Sequence, residues 1–345
     1  MKSNETSPII WILISVASLV IIIAGLRAAQ SIVVPFLLAG FIALIFAPSL
    51  FWLQRKRIPI LGALLIIFVV IFLAGIGAAA IIGMSLDDFS KALPEYQERL
   101  TEGKNEVLQG LAKTGFNITE KGLLKSINPG SAMDLIGGLL SGLGGMLSNS
   151  VLILLTVIFI LLEAAGFPTK LRSALGPKAT FVHFDKFSQK IQSYLVIKTI
   201  ISLITGLVIA GWLAVLGVNF PLLWGFLAFV LNFIPNIGSI IAAVPAVVLA
   251  LIDLGIVPSF LVISGYVAVN VVMGNVVEPR FLGRSLGLSP LVVFLSLVFW
   301  GWVLGPVGMV LSVPLTMMVK IALDSREDTQ WMAMLLGSGP PAGKS

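Results

Sequence analysis

The chain has 345 residues, of which 58% are hydrophobic and 11% charged, and its mean hydropathy is +1.06. A soluble domain carries about a quarter charged residues, so a water-soluble fold is excluded and the expected class is an all-α integral membrane protein. The formal charge of +6 sits in short links between apolar runs, away from any aromatic-interleaved patch, which speaks against nucleic acid as a partner. With no cysteine, disulfides and thiolate metal sites are excluded as well.

A bilayer is crossed by about twenty apolar helical residues. Ile9 to Leu26 is the first such run. It reads as a retained span and not a cleaved signal peptide, because Lys2 is the only basic residue before it and a second run follows almost at once. Ser31 to Leu53 is the second span, with Pro35 near its start where proline is tolerated, and Ile60 to Met84 is the third. Residues 1–84 therefore form three N-terminal transmembrane helices. Arg55-Lys56-Arg57 marks the link between the second and third as cytoplasmic, which places the N-terminus in the cytoplasm too. Across 85–149 acids and bases alternate, from Asp87 to Glu106, while Phe89, Leu93, Tyr96 and Leu100 recur at helical spacing. That pattern predicts an amphipathic extracytoplasmic insert of one or two helices, bent at Pro94. Gly137, Ser141 and Gly145, with Gly138 and Gly142 beside them, make a small-residue ladder suited to close packing between helices or subunits. A homo-oligomer is expected.

Residues 150–190 hold a fourth span, Val151 to Leu162, and a basic cytoplasmic linker with Lys170, Arg172, Lys178, Lys186 and Lys190. His183 lies there alone, so neither a metal site nor a catalytic dyad is supported, and no cofactor is expected. Residues 191–323 begin with a fifth span, Ile191 to Leu216, which carries Lys198 inside it. Two interrupted apolar segments follow. Leu216-Gly217, Leu227, Phe229 and Gly238 recur seventy positions later as Leu286-Gly287, Leu297, Phe299 and Gly308. Leu222 to Ile252 and Leu288 to Leu323 are each too long for one untilted span and too short for two. Each also breaks centrally, at Pro235-Asn236-Ile237-Gly238 and at Gly305-Pro306-Val307-Gly308.

A helical hairpin that dips in and returns to the same side fits both facts; two kinked full spans are the alternative. Non-helical backbone at membrane depth requires protein or water around it. If both segments are hairpins, Val257 to Val277 is the sixth span, and Arg280, Arg284, Lys320 and Arg326 all become cytoplasmic, as the positive-inside rule prefers. Each repeat is then one span plus one hairpin, so the second copy is inverted relative to the first. Paired interrupted segments of this kind mark transporter substrate sites. Residues 324–345 form a cytoplasmic tail.

The run Asn232-Phe-Ile-Pro235-Asn236-Ile-Gly238-Ser239, continuing to Pro245, resembles the AI-2E family of bacterial membrane proteins, named for export of the quorum-sensing signal autoinducer-2. Gly274 to Pro290, containing Glu278-Pro279-Arg280, resembles the second signature of that family, and Gly305 to Pro314 the third. The layout agrees along nearly the whole chain. The resemblance implies a multi-pass protein of the bacterial inner membrane with a small-molecule or ion substrate. The family is associated with autoinducer-2 export and, in other branches, with sodium or lithium exchange for protons. The motifs identify a scaffold, not a cargo.

Gly-x-Ser-x-Gly, P-loop and His-Glu-x-x-His motifs are all absent, so no enzyme is expected and any pumping must draw on an existing gradient. Glu278 and Arg280 are candidates for coupling or gating, with Pro279 expected to end the preceding helix near Val277; the plainer reading is an interfacial ion pair. Lys198 is expected to pair with Glu163, Asp253 or Glu278, or to snorkel to the interface. Asn232, Asn236 and Ser239, with Pro235, Gly238, Gly305, Pro306 and Gly308 at the breaks, are candidate pathway residues for a hydroxylated solute or a cation. Capping of the broken helix ends is their plainer role. Asn270 and Asn275 are weaker candidates of the same kind. The leading function is a secondary transporter exporting a small hydrophilic metabolite such as autoinducer-2 by alternating access. A sodium (lithium)/proton antiporter and a non-transporting membrane scaffold are the alternatives.

Overall fold

The computed structural model describes residues 8–113, 137–138, 150–175, 182–235, 237–282, 287–325 and 327–337. Ser141, Gly142, Gly145, Asn236, Arg284 and Arg326 lie outside these residues, as do the side chains of Arg172, Lys178, His183 and Lys186. Among the described residues every regular element is helical. Helices α1 (Pro8–Ala28) and α2 (Gln30–Arg55) follow the first two apolar runs closely.

The third run departs from expectation. Helix α3 extends unbroken from Ile60 to Lys113, 54 residues, which is about 80 Å at 1.5 Å per residue. The span and the amphipathic stretch are one rod. Backbone hydrogen bonding continues across the change from apolar to charged residues. Pairs one turn apart support the polar half, Lys91 with Asp87 at 2.5 Å and Arg99 with Glu95 at 2.6 Å. Pro94 lies within the helix and does not end it. Helix α4 (Ser150–Leu175) likewise runs past Leu162, and α5 (Val182–Leu216) starts nine residues before Ile191.

After α5 the chain forms α6 (Pro221–Leu231), α7 (Gly238–Asp253) and α8 (Ile256–Asn270). A π-helical segment, Val271–Val277, leads into α9 (Glu278–Leu282). Then come α10 (Pro290–Val310), α11 (Ser312–Asp324) and, after a short turn of 3-10 helix, α12 (Gln330–Leu335). Five helical stretches among the described residues are long and apolar enough to cross a membrane: Gln30–Arg55, Ile60–Phe89, Gln189–Leu216, Ile256–Phe281 and Pro290–Val310.

The last of these is not straight. Gly305 has φ 68° and ψ −155°, a conformation open only to glycine, and the chain reverses there. Beyond it, Trp300 Nε1 donates to Thr316 Oγ1 at 3.0 Å, and Thr316 donates onward to Ser296 Oγ at 2.8 Å. These bonds pair the stretch before Gly305 with the stretch after it, so the part of α10 before Gly305 is one arm of a hairpin, its last residues with α11 are the other, and Gly305-Pro306 is the tip. Helices α6 and α7 form the other hairpin, with 232–237 as its tip.

The two hairpins are built alike. Gly217 and Gly287 precede them with φ 76° and 60°, and Pro221 and Pro290 open the first arms, where a missing N–H costs nothing. Gly238 and Gly308 then let the second arm close on the first. A Cβ on either would overlap a carbonyl of the facing arm, 2.7 Å from the carbonyl carbon of Leu231 or of Trp300.

Three apolar clusters hold the bundle. Ala39, Ala43 and Ala47 of α2 pack with Ala63, Val157 and Leu161 of α3 and α4. These alanines, one turn apart, are a close-packing ladder. Around the first hairpin, Trp224, Leu227, Ala242 and Ala246 are buried together with Phe89 and Tyr96 from the polar half of α3. Around the second, Leu304, Val307 and Leu311 meet Phe41 of α2 and Leu195 of α5. Helix α5 touches both hairpins, α2, α8 and α9. It is the axis of the second half of the chain.

Candidate functional site

Helix α5 carries polar residues on the face it buries. Lys198, Ser202 and Thr205 recur at intervals of four and three, hence on one face, and all three are buried. The first hairpin packs on this face because Gly206 and Gly225 let the backbones of α5 and α6 meet. A Cβ on either glycine would lie 2.6 Å from the other's carbonyl oxygen. Trp212 seats its indole against Gly265 and donates to the Leu261 carbonyl at 3.1 Å, which fixes α8 beside α5.

The charged end of this stripe is a two-point ion pair. Lys198 Nζ lies 2.9 and 2.8 Å from the two carboxylate oxygens of Glu278. The lysine side chain is 5% exposed and that of the glutamate 23%. Glu278, of the three carboxylates considered, is the lysine's partner. Glu163 pairs instead with Lys170 at 2.8 Å, and Asp253 lies at 3.4 Å from Arg99. Lys198, not Arg280, is the cation on Glu278, and Arg280 is exposed.

Pro279 does not end the helix as expected. Glu278 keeps helical angles, φ −56° and ψ −47°, and its N–H donates to the Met273 carbonyl five residues back. In a regular α-helix the proline ring would crowd the carbonyl four residues earlier. The widened π turn removes that clash and rotates Glu278 around the helix axis relative to α-helical continuation. π turns inside helices occur mostly at functional sites.

One turn above Lys198, Ser202 Oγ accepts from Asn232 Nδ2 at 2.9 Å. Asn232 caps the end of α6, so this bond ties the first hairpin's tip to the middle of α5's apolar run. Beside it lies a water-sized cavity lined by Thr205, Asn232, Ser239, Tyr266 and Asn270 among others. Pro235 and Gly238 shape the same tip. The second tip is elsewhere. A Cβ on Gly305 would lie 2.8 Å from Gln30 Nε2, and the Arg27 guanidinium stacks 4.6 Å from the Trp302 ring centroid. The second hairpin thus reaches the turn between α1 and α2. Gly308 is buried and Pro306 exposed. The two sets of predicted pathway residues do not converge on one cavity.

Asp253 anchors the root of the first hairpin. Asn219 Nδ2 donates to Asp253 Oδ2 at 2.7 Å, and Trp224 Nε1 donates to the Asn219 carbonyl at 2.9 Å. An acid at a helix C-terminus opposes the helix dipole, and Arg99 and Asn219 offset that cost. Burial, followed by the charge of Asp253, pushes the pKa of the neighbouring Tyr96 phenol above its ordinary value and keeps it protonated. Phe89 meets Phe220 and Trp224 edge-on at 6.2 and 6.4 Å. Both ends of the hairpin are thereby fastened to α3.

Sequence reasoning missed Tyr266, Thr205 and Ser202. Tyr266 and Asn270 stand one turn apart on α8, and a search for polar residues at helical spacing within apolar runs would have found both pairs. Among the described residues no group of three or more His, Asp or Glu side chains comes together.

Comparison with known proteins places this arrangement. The family described as AI-2E family transporter matches residues 16–327. The chain is 43% identical over 326 residues to the AI-2 transport protein TqsA of Escherichia coli (strain K12), covering 94% of this chain and 95% of that one. It is 36% identical over 334 residues to YhhT of the same strain, covering 96% of each. It is 28% identical over 319 residues to YrrI of Bacillus subtilis (strain 168), covering 85% and 86%. With its family's match spanning most of its length, and with membrane-capable helices around a buried polar stripe, the chain belongs to the AI-2E family of membrane transporters.

Proposed function

We propose that the chain exports a small, hydrophilic, uncharged metabolite of the autoinducer-2 type by alternating access, as a secondary transporter of the bacterial inner membrane with both termini cytoplasmic. One observation carries the reading. The buried polar stripe of α5 runs from the Lys198–Glu278 pair to the tip of a broken hairpin. Irregular backbone and ionisable groups inside a membrane are costly unless they line a pathway.

Hydroxyls and amides at Ser202, Thr205, Asn232 and Ser239 suit a polyhydroxylated solute, and the name of the TqsA relative points to the same cargo. Glu278 and Lys198 couple or gate the cycle; Asp253 holds the hairpin's root. The second hairpin, with Gly305, Pro306 and Gly308 at its tip, is the inverted partner of the first, and its likeness in build supports an inverted repeat. The protein works as a homo-oligomer in the bilayer.

Purified protein in liposomes tests this directly. Autoinducer-2 preloaded inside should exchange with external solute at rates well above protein-free vesicles. Exchange of sodium for protons without autoinducer-2 flux would favour the antiporter reading and overturn this one.

A further inference from the structure

Tyr266 presents an unspent hydrogen-bonding group. It is 5% exposed, and among the described residues its hydroxyl is the buried side-chain polar atom without a partner. Buried phenols ordinarily find one, because an unmade hydrogen bond in a low dielectric is costly. Tyr266 lines the water-sized cavity between α5, α8 and the tip of the first hairpin, together with Thr205, Asn232 and Ser239. Thr205 spends its proton on the Ile201 carbonyl at 2.9 Å, leaving only lone pairs to offer. Asn232 spends an amide proton on Ser202.

We infer that this cavity is a subsite for one hydroxyl group of the transported solute, with Tyr266 as the residue that selects for it. The inference rests on the transporter reading above and deepens it. A hydroxyl both donates and accepts, so it takes the proton of one lining group while giving its own to another. A methyl group would leave the phenol unpaired. A carboxylate or an ammonium would be buried without a counter-ion, since the nearest charges along the stripe, Lys198 and Glu278, already satisfy each other. Because Asn232 and Ser239 belong to the hairpin's two arms, a solute hydroxyl seated here touches the tip and α8 together. Its arrival and departure bear on the closure of the hairpin.

The test is Tyr266→Phe in the full chain, which keeps the ring and removes only the oxygen. Thr205→Val is the second variant, should the first insert poorly. Autoinducer-2 is the probe in proteoliposomes, and thermal unfolding of the solute-free protein is followed in parallel. The expected result is a KM raised about tenfold, the loss of one hydrogen bond, with Vmax within about twofold and solute-free stability unchanged or higher. A lower melting temperature with unchanged KM would show that the phenol holds a structural water, and would overturn the subsite. Unchanged KM and stability together would show that solute never reaches Tyr266. A fall in Vmax alone would make it a hinge residue and equally overturn the proposal. Absence of autoinducer-2 flux in the unaltered protein is a separate outcome: it overturns the transport reading itself, and the subsite falls with it.

Discussion

Replacing Glu278 by Gln removes one charge from a pair whose atoms lie 2.8 and 2.9 Å apart. At an effective dielectric of about 20, the gross attraction between unit charges at that separation is about 6 kcal/mol. Burying the Lys198 side chain, 5% exposed, costs several kcal/mol of hydration, so the intact pair is close to neutral against an apolar substitute. The single variant is different, because it leaves the lysine buried without its partner. Such breaks cost about 3–5 kcal/mol. Glu278 keeps some access to water and Gln can still accept one bond from Lys198, so the lower end, about 3 kcal/mol, applies. About 4 °C in melting temperature is expected, read by tryptophan fluorescence on purified protein at matched amounts. The double variant Lys198→Met with Glu278→Gln should recover most of that loss. Transport then separates anchor from coupling group. Solute exchange at equal pH should return in the double variant, while accumulation driven by a pH gradient should stay lost, since neither replacement releases a proton. A single variant within about 0.5 kcal/mol of the parent would refute the desolvated pair. Normal gradient-driven accumulation in the stable double variant would refute its role in coupling.

Gly238→Ala and Gly308→Ala should each destabilise by about 1–3 kcal/mol or more and abolish flux, because the added Cβ overlaps a backbone carbonyl of the facing arm and crowds the Cβ of Ile234 or Leu304. Gly40→Ala, with nothing within 4 Å, should be neutral or gain up to about 1 kcal/mol; equal effects at all three would refute the closed hairpins. Single cysteines, introduced without background, should react with an impermeant reagent outside intact cells at Lys91 and stay protected at Arg57 and Arg280. Outside labelling at Arg280 with protection at Arg57 would favour kinked full spans.

Much of this bundle was legible because hydropathy alone marks lipid-facing helices, and α1 and α2 end within a few residues of their apolar runs. The merger of span and insert in α3 was not, because a polarity boundary says nothing about whether backbone hydrogen bonds continue. Nor was the π segment before Glu278. Pro279 signals that a regular helix cannot pass, and the rule is silent about widening the turn instead. Lys198 announced itself as a buried cation, yet three carboxylates competed for it along the sequence and only the third dimension chooses among them. Tyr266 was legible only as a polar residue one turn from Asn270; its missing partner is a property of the packed interior alone.

The rod of α3 has a mechanical consequence. Its apolar half packs on α2 and α4, while Phe89, Tyr96 and Arg99 grip both roots of the first hairpin. A stiff helix of 54 residues, about 80 Å long, acts as a lever across that grip. A tilt of about 5° about its membrane end sweeps the far end by roughly 7 Å and the level of Arg99 by roughly 5 Å, from the same 1.5 Å rise per residue. A displacement of its far end would therefore act on the base of the hairpin whose tip, beside Ser202, lies deep in the bundle.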